Sequence, residues 1–216
     1  MVVSHKYKFI FMHIPKTGGS SVTYSLMRMC KYNKNVKLIP AEEFAVFKNV
    51  EIFRNSNDIS QHSHYGDIKL YLEQCGKNID DYFVFTFVRN PWARYVSSYE
   101  YSRRSYIRCY KHDWAKPAYD NDFGTWVKNM TNDEQQDYIK DFPLNYIGKM
   151  ENMECDLEEI RQILQTRMAN MELDNVKPSI INANPHADYK TYYTEETKNL
   201  VAERCYQTIN DFHYEF

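Results

Sequence analysis

The chain has 216 residues, 43% hydrophobic, 16% aromatic and 26% charged, which suits one globular domain and excludes disordered, fibrous and collagen-like chains. Its formal net charge is −2, so no global basic field points to nucleic acid or an anionic membrane, and any anion must be held by a local site. The five cysteines (Cys30, Cys75, Cys109, Cys155, Cys205) form no CxxC pair and are odd in number, which fits reduced thiols and offers no zinc spacing.

The amino-terminal apolar run is only about five residues long, too short for a signal core or for a membrane span, which needs roughly 20 apolar residues. Lys8–His13 is short, apolar and β-prone, and reads as a buried strand. It runs through Pro15-Lys16-Thr17-Gly18-Gly19-Ser20-Ser21 into Val22–Met29, where Val22, Leu26 and Met29 recur at helical spacing. The stretch 31–60 is polar and irregular, with a short strand at Val36–Ile39. Tyr65–Gln74 reads as a helix stopped by Gly76. Tyr82–Val88 is the strongest strand; its near-continuous apolar pattern implies burial on both faces, as in a parallel sheet. Arg89-Asn90-Pro91 ends it, and Pro91 opens a helix to about Tyr106. A helix at Asp122–Met130, a strand at Asn145–Met150, a helix at Cys155–Arg167, a loop at 170–190 and a terminal helix at Thr194–Ile209 complete the chain. Strands alternating with helices predict an α/β fold, a single domain over 1–216 with a central, mainly parallel sheet flanked by helices. In such sheets ligands bind at the carboxyl ends of the strands.

Two loops leave such strand ends. In the first, Gly18 and Gly19 let the backbone approach a ligand closely, and successive amides at a helix start make an anion nest. Lys16 adds a positive charge, and Thr17, Ser20 and Ser21 add hydroxyls, a set suited to a phosphate or sulfate ester. Lys16 precedes the glycines, so this is not a GxxxxGK[ST] loop. A plain Gly-Gly turn with an N-cap serine fits the same residues. In the second, Arg89 is followed eight residues later by Ser97, near two helical turns on. Together they can fork a phosphate; alone, a strand-end arginine paired with a carboxylate explains them as well. Taken jointly, the loops suit a nucleoside carrying phosphates at both ends.

On these residues the chain resembles the sulfotransferases that use 3′-phosphoadenosine 5′-phosphosulfate (PAPS), within them the carbohydrate-type family 2 related to heparan and dermatan 2-O-sulfotransferases. Phe11 to Ser21 resembles the family's 5′-phosphosulfate loop, and Phe85 to Tyr99 its 3′-phosphate motif. Gln61-His62-Ser63-His64 resembles the catalytic histidine segment, Ile147 to Asn152 the strand that follows, and His186 to Tyr214 the carboxy-terminal segment. The resemblance implies a P-loop-like fold and O-sulfation of a carbohydrate or other hydroxyl-bearing acceptor. Lys16 is then assigned to the transferring sulfuryl group and leaving phosphate. Thr17, Gly18, Gly19, Ser20 and Ser21 are assigned to the 5′-phosphate, and Arg89 and Ser97 to the 3′-phosphate. Lys190 and Thr191 close over the nucleotide, and Met150 stands where relatives place an aromatic near the adenine. His62 is the implied general base, because imidazole titrates near neutral pH, with His64 sharing or tuning that role. PAPS is the cosubstrate, PAP the product, and no metal is implied. The chain is shorter than many Golgi members and carries no anchor segment, which points to a cytoplasmic enzyme of a bacterium or virus.

Arg103, Arg104, Arg108, Lys111 and His112, interleaved with Tyr101, Tyr106 and Tyr110, fit either an acceptor patch or a solvated helix face. Trp92, Trp114 and Trp126 fit either a sugar cleft or the core. Two other functions stay open: a nucleotide-dependent kinase of related fold, which needs a Mg²⁺ carboxylate not evident here, and a non-catalytic nucleotide-binding module.

Overall fold

A computed structural model of the chain describes residues 1–30, 45–47, 50–52, 65–108, 113–131, 133–169, 173–177 and 186–216. In chain order the elements are β1 (Val2–Ser4), β2 (Phe9–Met12), α1 (Gly19–Met29), β3 (Ala45–Phe47), β4 (Val50–Ile52), α2 (Tyr65–Gln74), β5 (Phe83–Val88), α3 (Pro91–Arg108), α4 (Lys116–Asp120), α5 (Phe123–Asn129), α6 (Gln136–Ile139), β6 (Tyr146–Lys149), α7 (Met153–Arg167), α8 (Glu195–Arg204) and α9 (Tyr206–Phe212). Short 3-10 turns stand at Ile79–Asp81, Asp113–Ala115, Met150–Asn152 and Tyr189–Tyr192. The chain divides into two compact units, Met1–Val88 with Tyr138–Asn182, and Arg89–Asp137 with Ala183–Phe216.

The first unit holds the sheet, in the order β3-β4-β1-β2-β5-β6. β2, β5 and β6 run parallel, in the register Phe11↔Phe85 and Phe85↔Tyr146. These parallel neighbours are joined by long stretches of chain, as parallel pairing requires. The expected parallel arrangement therefore holds for the half of the sheet that leads into both loops. On the other side, β1 pairs antiparallel with β2 and with β4, and β3 pairs antiparallel with β4. β1 returns into β2 through a tight turn in which Lys8 takes φ 52° and the Ser4 hydroxyl accepts the Tyr7 amide at 3.1 Å.

Alternation along the strands sorts the side chains between two faces. Phe9, Phe11, Phe83, Phe85 and Phe87 face α1 and α7, meeting Leu26, Met29, Leu157 and Ile160. Ile10, Met12 and Val84 face the other way, onto Ile68 and Leu72 of α2. Both faces of β2 and β5 are thus covered, as their continuous apolar runs foretold. The rings of Phe9, Phe11 and Phe87 contact one another or Phe85 at centroid distances of 5.5–6.3 Å. A methyl group on Gly148 of β6 would lie 2.6 Å from the Phe87 ring, so this position admits glycine only while that ring keeps its place.

The second unit is helical. Trp92, Tyr95, Val96 and Tyr99 of α3 pack with Phe123, Trp126 and Val127 of α5 and with Val201 and Cys205. Asp122 caps α5 by accepting the Thr125 amide at 2.8 Å, and Thr194 and Thr197 cap α8 reciprocally. The terminal helix expected over Thr194–Ile209 is broken at Cys205 (φ −110°, ψ 27°) into α8 and α9. The strand expected at Val36–Ile39 lies outside the described residues. Among the described residues no helix is long and apolar enough to cross a membrane.

Candidate functional site

The first loop leaves β2 at Met12 and enters α1 at Gly19. Thr86 anchors its start, donating from Oγ1 to the Met12 carbonyl at 2.8 Å. Thr17 closes the loop on itself: it is 0% exposed and its hydroxyl donates to the Ile14 carbonyl at 2.9 Å. That hydroxyl has a single proton, so Thr17 offers an anion its amide and not its side chain. Lys16 (φ 66°) and Gly18 (φ 81°) both take left-handed conformations. Such reversals turn successive amides toward one side, the geometry of an anion nest.

The start of α1 is bare. Gly18 is its N-cap and brings no side-chain oxygen, and the first helical turn holds no acidic residue. The positive end of the helix is therefore not countered by a carboxylate of its own first turn. The Gly18 carbonyl accepts the Ser21 and Val22 amides at 2.9 and 3.1 Å, which leaves the earlier amides of Gly19 and Ser20 ahead of the first intrahelical bonds. Ser20 is exposed and Ser21 is buried.

Three side chains pack against this loop, His13 from its own start and Met150 and Met153 from the β6–α7 junction. A methyl group on Gly19 would overlap the His13 ring, which itself stacks on Phe11 at 6.0 Å. A methyl group on Gly18 would meet Met153 Cε at 2.5 Å and Met150 Cγ at 3.3 Å. Gly18 is thus favoured by its left-handed backbone angle and Gly19 by the closeness of the His13 ring, and Met150 lies beside the loop. The carboxylate of Asp156 fixes the neighbouring β6–α7 junction, accepting the Lys149 amide at 2.6 Å and the Tyr146 hydroxyl at 3.2 Å. Burial, and next to it the carboxylates of Glu159 and Asp156 to which the phenol donates, push the Tyr146 phenol well above its ordinary range.

The second loop follows β5, the parallel neighbour of β2, so the chain leaves both strands at the same end of the sheet. Within the second unit, Arg89 is half-buried and its main chain is clamped by one side chain. Gln135 Oε1 accepts the Arg89 amide at 2.9 Å, and Gln135 Nε2 donates to the Arg89 carbonyl at 2.8 Å. Asn90 caps α3 by accepting the Ala93 amide at 3.2 Å, and its Nδ2 donates to the Glu215 carbonyl at 2.8 Å. Arg94 is 1% exposed and forks onto Asp133, Nη1 to the carbonyl at 2.9 Å and Nη2 to Oδ1 at 3.0 Å. Ser97 follows on α3 and is 9% exposed.

Lys190 and Thr191 lie in the 3-10 turn Tyr189–Tyr192 of the same unit, and both are exposed. That turn is docked on α3: the Tyr192 hydroxyl donates to Glu100 Oε1 at 3.1 Å and the Tyr193 hydroxyl to the Trp92 carbonyl at 2.9 Å. Lys190 Nζ donates to the Phe216 main-chain oxygen at 3.0 Å, which uses one of its three N–H donors. Thr191 Oγ1 donates to the Asp188 carbonyl at 2.7 Å. His62 and His64 lie outside the described residues, as do Lys111, His112 and the side chain of Arg108. Arg103 pairs with Glu100 at 3.2 Å, and Trp92 and Trp126 are core residues. Trp114 is exposed and stacks on Tyr101 at 6.1 Å. Among the described residues no cluster of three His, Cys, Asp or Glu side chains is arranged to hold a metal.

Met153, Asp133 and Gln135, which help hold the two loops in shape, act across long sequence separations, and no local pattern marks them. The sequence model described as the Sulfotransferase family matches residues 1–214. No match was found among curated proteins or among solved structures.

Proposed function

The chain belongs to the sulfotransferase family, and we propose that it transfers the sulfuryl group of PAPS to a hydroxyl of a carbohydrate acceptor, releasing PAP. The observation that carries this reading is the family match, which runs through both strand-end loops, residues 1–214. The bare, acid-free start of α1 supports it, because a dianionic 5′-phosphosulfate needs amides and positive potential with no competing carboxylate. We read residues 1–216 as one P-loop-like sulfotransferase domain.

PAPS, as donor substrate, supplies a sulfuryl group already activated on a phosphate leaving group. The amides of Thr17, Gly18, Gly19 and Ser20, with the exposed Ser20 hydroxyl and with Ser21, hold its 5′ end. Arg89 and Ser97 hold the 3′-phosphate, and Lys190 and Thr191 close over the nucleotide. His62 takes the proton of the acceptor hydroxyl as that oxygen bonds to sulfur in line with the breaking sulfur–oxygen bond to the 5′-phosphate. His64 shares or tunes this role. Lys16 meets the negative charge that collects on the leaving phosphate, the electrostatic part of the rate enhancement. The reading calls for no metal.

The test is PAP release from PAPS in the presence of a panel of glycans. Wild-type protein should release PAP with at least one of them, and His62→Ala should do so about 10²–10⁴-fold more slowly while still binding PAP. Absence of turnover with every hydroxyl acceptor, or an unchanged rate in His62→Ala, would contradict the reading.

A further inference from the structure

We infer that Gln135 is a positioning residue for the 3′-phosphate: it fixes the main chain of Arg89 and, through it, the origin of the guanidinium. The inference rests on the reading of Arg89 as the 3′-phosphate ligand.

Pairing of β5 with β2 ends at Thr86, and pairing with β6 ends at Val88. Arg89 is the first residue past both ladders. The Gln135 side chain stands in for the next strand residue, taking the Arg89 amide at 2.9 Å and giving to its carbonyl at 2.8 Å. This is the two-bond exchange of a hydrogen-bonded strand pair, made by one side chain. Gln135 is 0% exposed, so it has no water to exchange these bonds with.

The clamp is itself held. The Gln135 amide donates to Glu134 Oε1 at 2.8 Å. Glu134, 6% exposed, also takes the Thr208 hydroxyl of α9 and, at 3.5 Å, its amide. Asp133 takes the Arg94 fork. Three consecutive side chains therefore grip the turn at Arg89, the start of α3 at Arg94, and α9. Arg94 is held in a structural ion pair, and Arg89 is a half-buried arginine whose own peptide is immobilised. A bidentate phosphate fork needs its donors held within about 0.5 Å of the productive position, and a long side chain meets that only from a fixed base.

The experiment compares PAP with AMP, which lacks only the 3′-phosphate, by calorimetry on wild type, Gln135→Met and Gln135→Glu. Gln135→Met keeps the shape and loses both bonds; Gln135→Glu keeps the acceptor and loses the donor. The expected result is a PAP-over-AMP preference reduced about tenfold in Gln135→Met and by a smaller factor in Gln135→Glu, with AMP affinity held within about twofold. Where Gln135→Met does not fold, Gln135→Glu carries the comparison. Equal weakening of PAP and AMP marks a merely structural role and overturns the inference, as does an unchanged preference in a folded variant. A wild type that binds PAP no better than AMP refutes the Arg89 reading itself, an outcome separate from failure of the Gln135 inference.

Discussion

At Lys16 the backbone is left-handed, at φ 66°, a conformation that costs a residue with a Cβ roughly 1–2 kcal/mol and glycine nothing. Keeping lysine there trades stability for an ammonium at the loop. Lys16→Gly relieves the strain but enlarges the freedom of the unfolded chain, an opposing effect of about 0.4–1 kcal/mol. The strain is the larger, so Lys16→Gly should melt about 2–4 °C above Lys16→Ala, while both lose sulfuryl transfer. Melting of the glycine variant below the alanine variant would show that the strain is not there. Residues of this kind mark the limit of sequence reading. The glycines, Lys16 and the serines are visible as a motif, but the positive φ of a lysine is not. Nor does the sequence reveal that the Thr17 hydroxyl turns inward to Ile14 instead of outward to a ligand.

Elements were legible in proportion to their length and periodicity. β5 and β2 stand out because both faces are apolar, and α2 and α3 because punctuation by Gly76 and Pro91 agrees with helical spacing. β1, β3 and β4 have three residues each, too few for alternation to show. The break at Cys205 leaves no mark in the sequence because the apolar spacing runs on through it. The junction of β2 with α1 gives a test of packing between elements. Gly19→Ala puts a methyl group into the His13 ring and should cost about 1–3 kcal/mol, as overpacking does. In a His13→Ala background the same change should cost clearly less, because the obstructing ring is gone. Equal costs in the two backgrounds, from melting curves, would place the strain elsewhere.

At the scale of the whole molecule, burial separates the four cysteines among the described residues. Cys75 and Cys155 are exposed, whereas Cys30 and Cys205 are buried and burial pushes each up to about 12 from an ordinary 9.0. Alkylation near neutral pH should label Cys75 and Cys155 quickly, and Cys30 and Cys205 only on unfolding; rapid labelling of Cys30 would refute the buried core around it. The unfolded chain releases these protons near 9 and the folded chain keeps them to about 12, so the unfolded state binds fewer protons in that interval. Stability should therefore fall as pH rises from about 9 to about 12, and fall less in the Cys30→Ala, Cys205→Ala double variant. Burial pushes the Tyr95 and Tyr193 phenols upward too, which acts in the same direction. The proposed function stands or falls on a bisphosphate nucleotide. Its most direct test is calorimetric titration of PAP, AMP, and ATP with Mg²⁺ into wild type and Arg89→Ala, with melting as a second readout. Saturation at a hundred times the dissociation constant should add about 2.7 kcal/mol of stability. PAP should bind more tightly than AMP or ATP, and Arg89→Ala should abolish the difference; no response to PAP, or an equal response to ATP with Mg²⁺, would contradict the PAPS-dependent function.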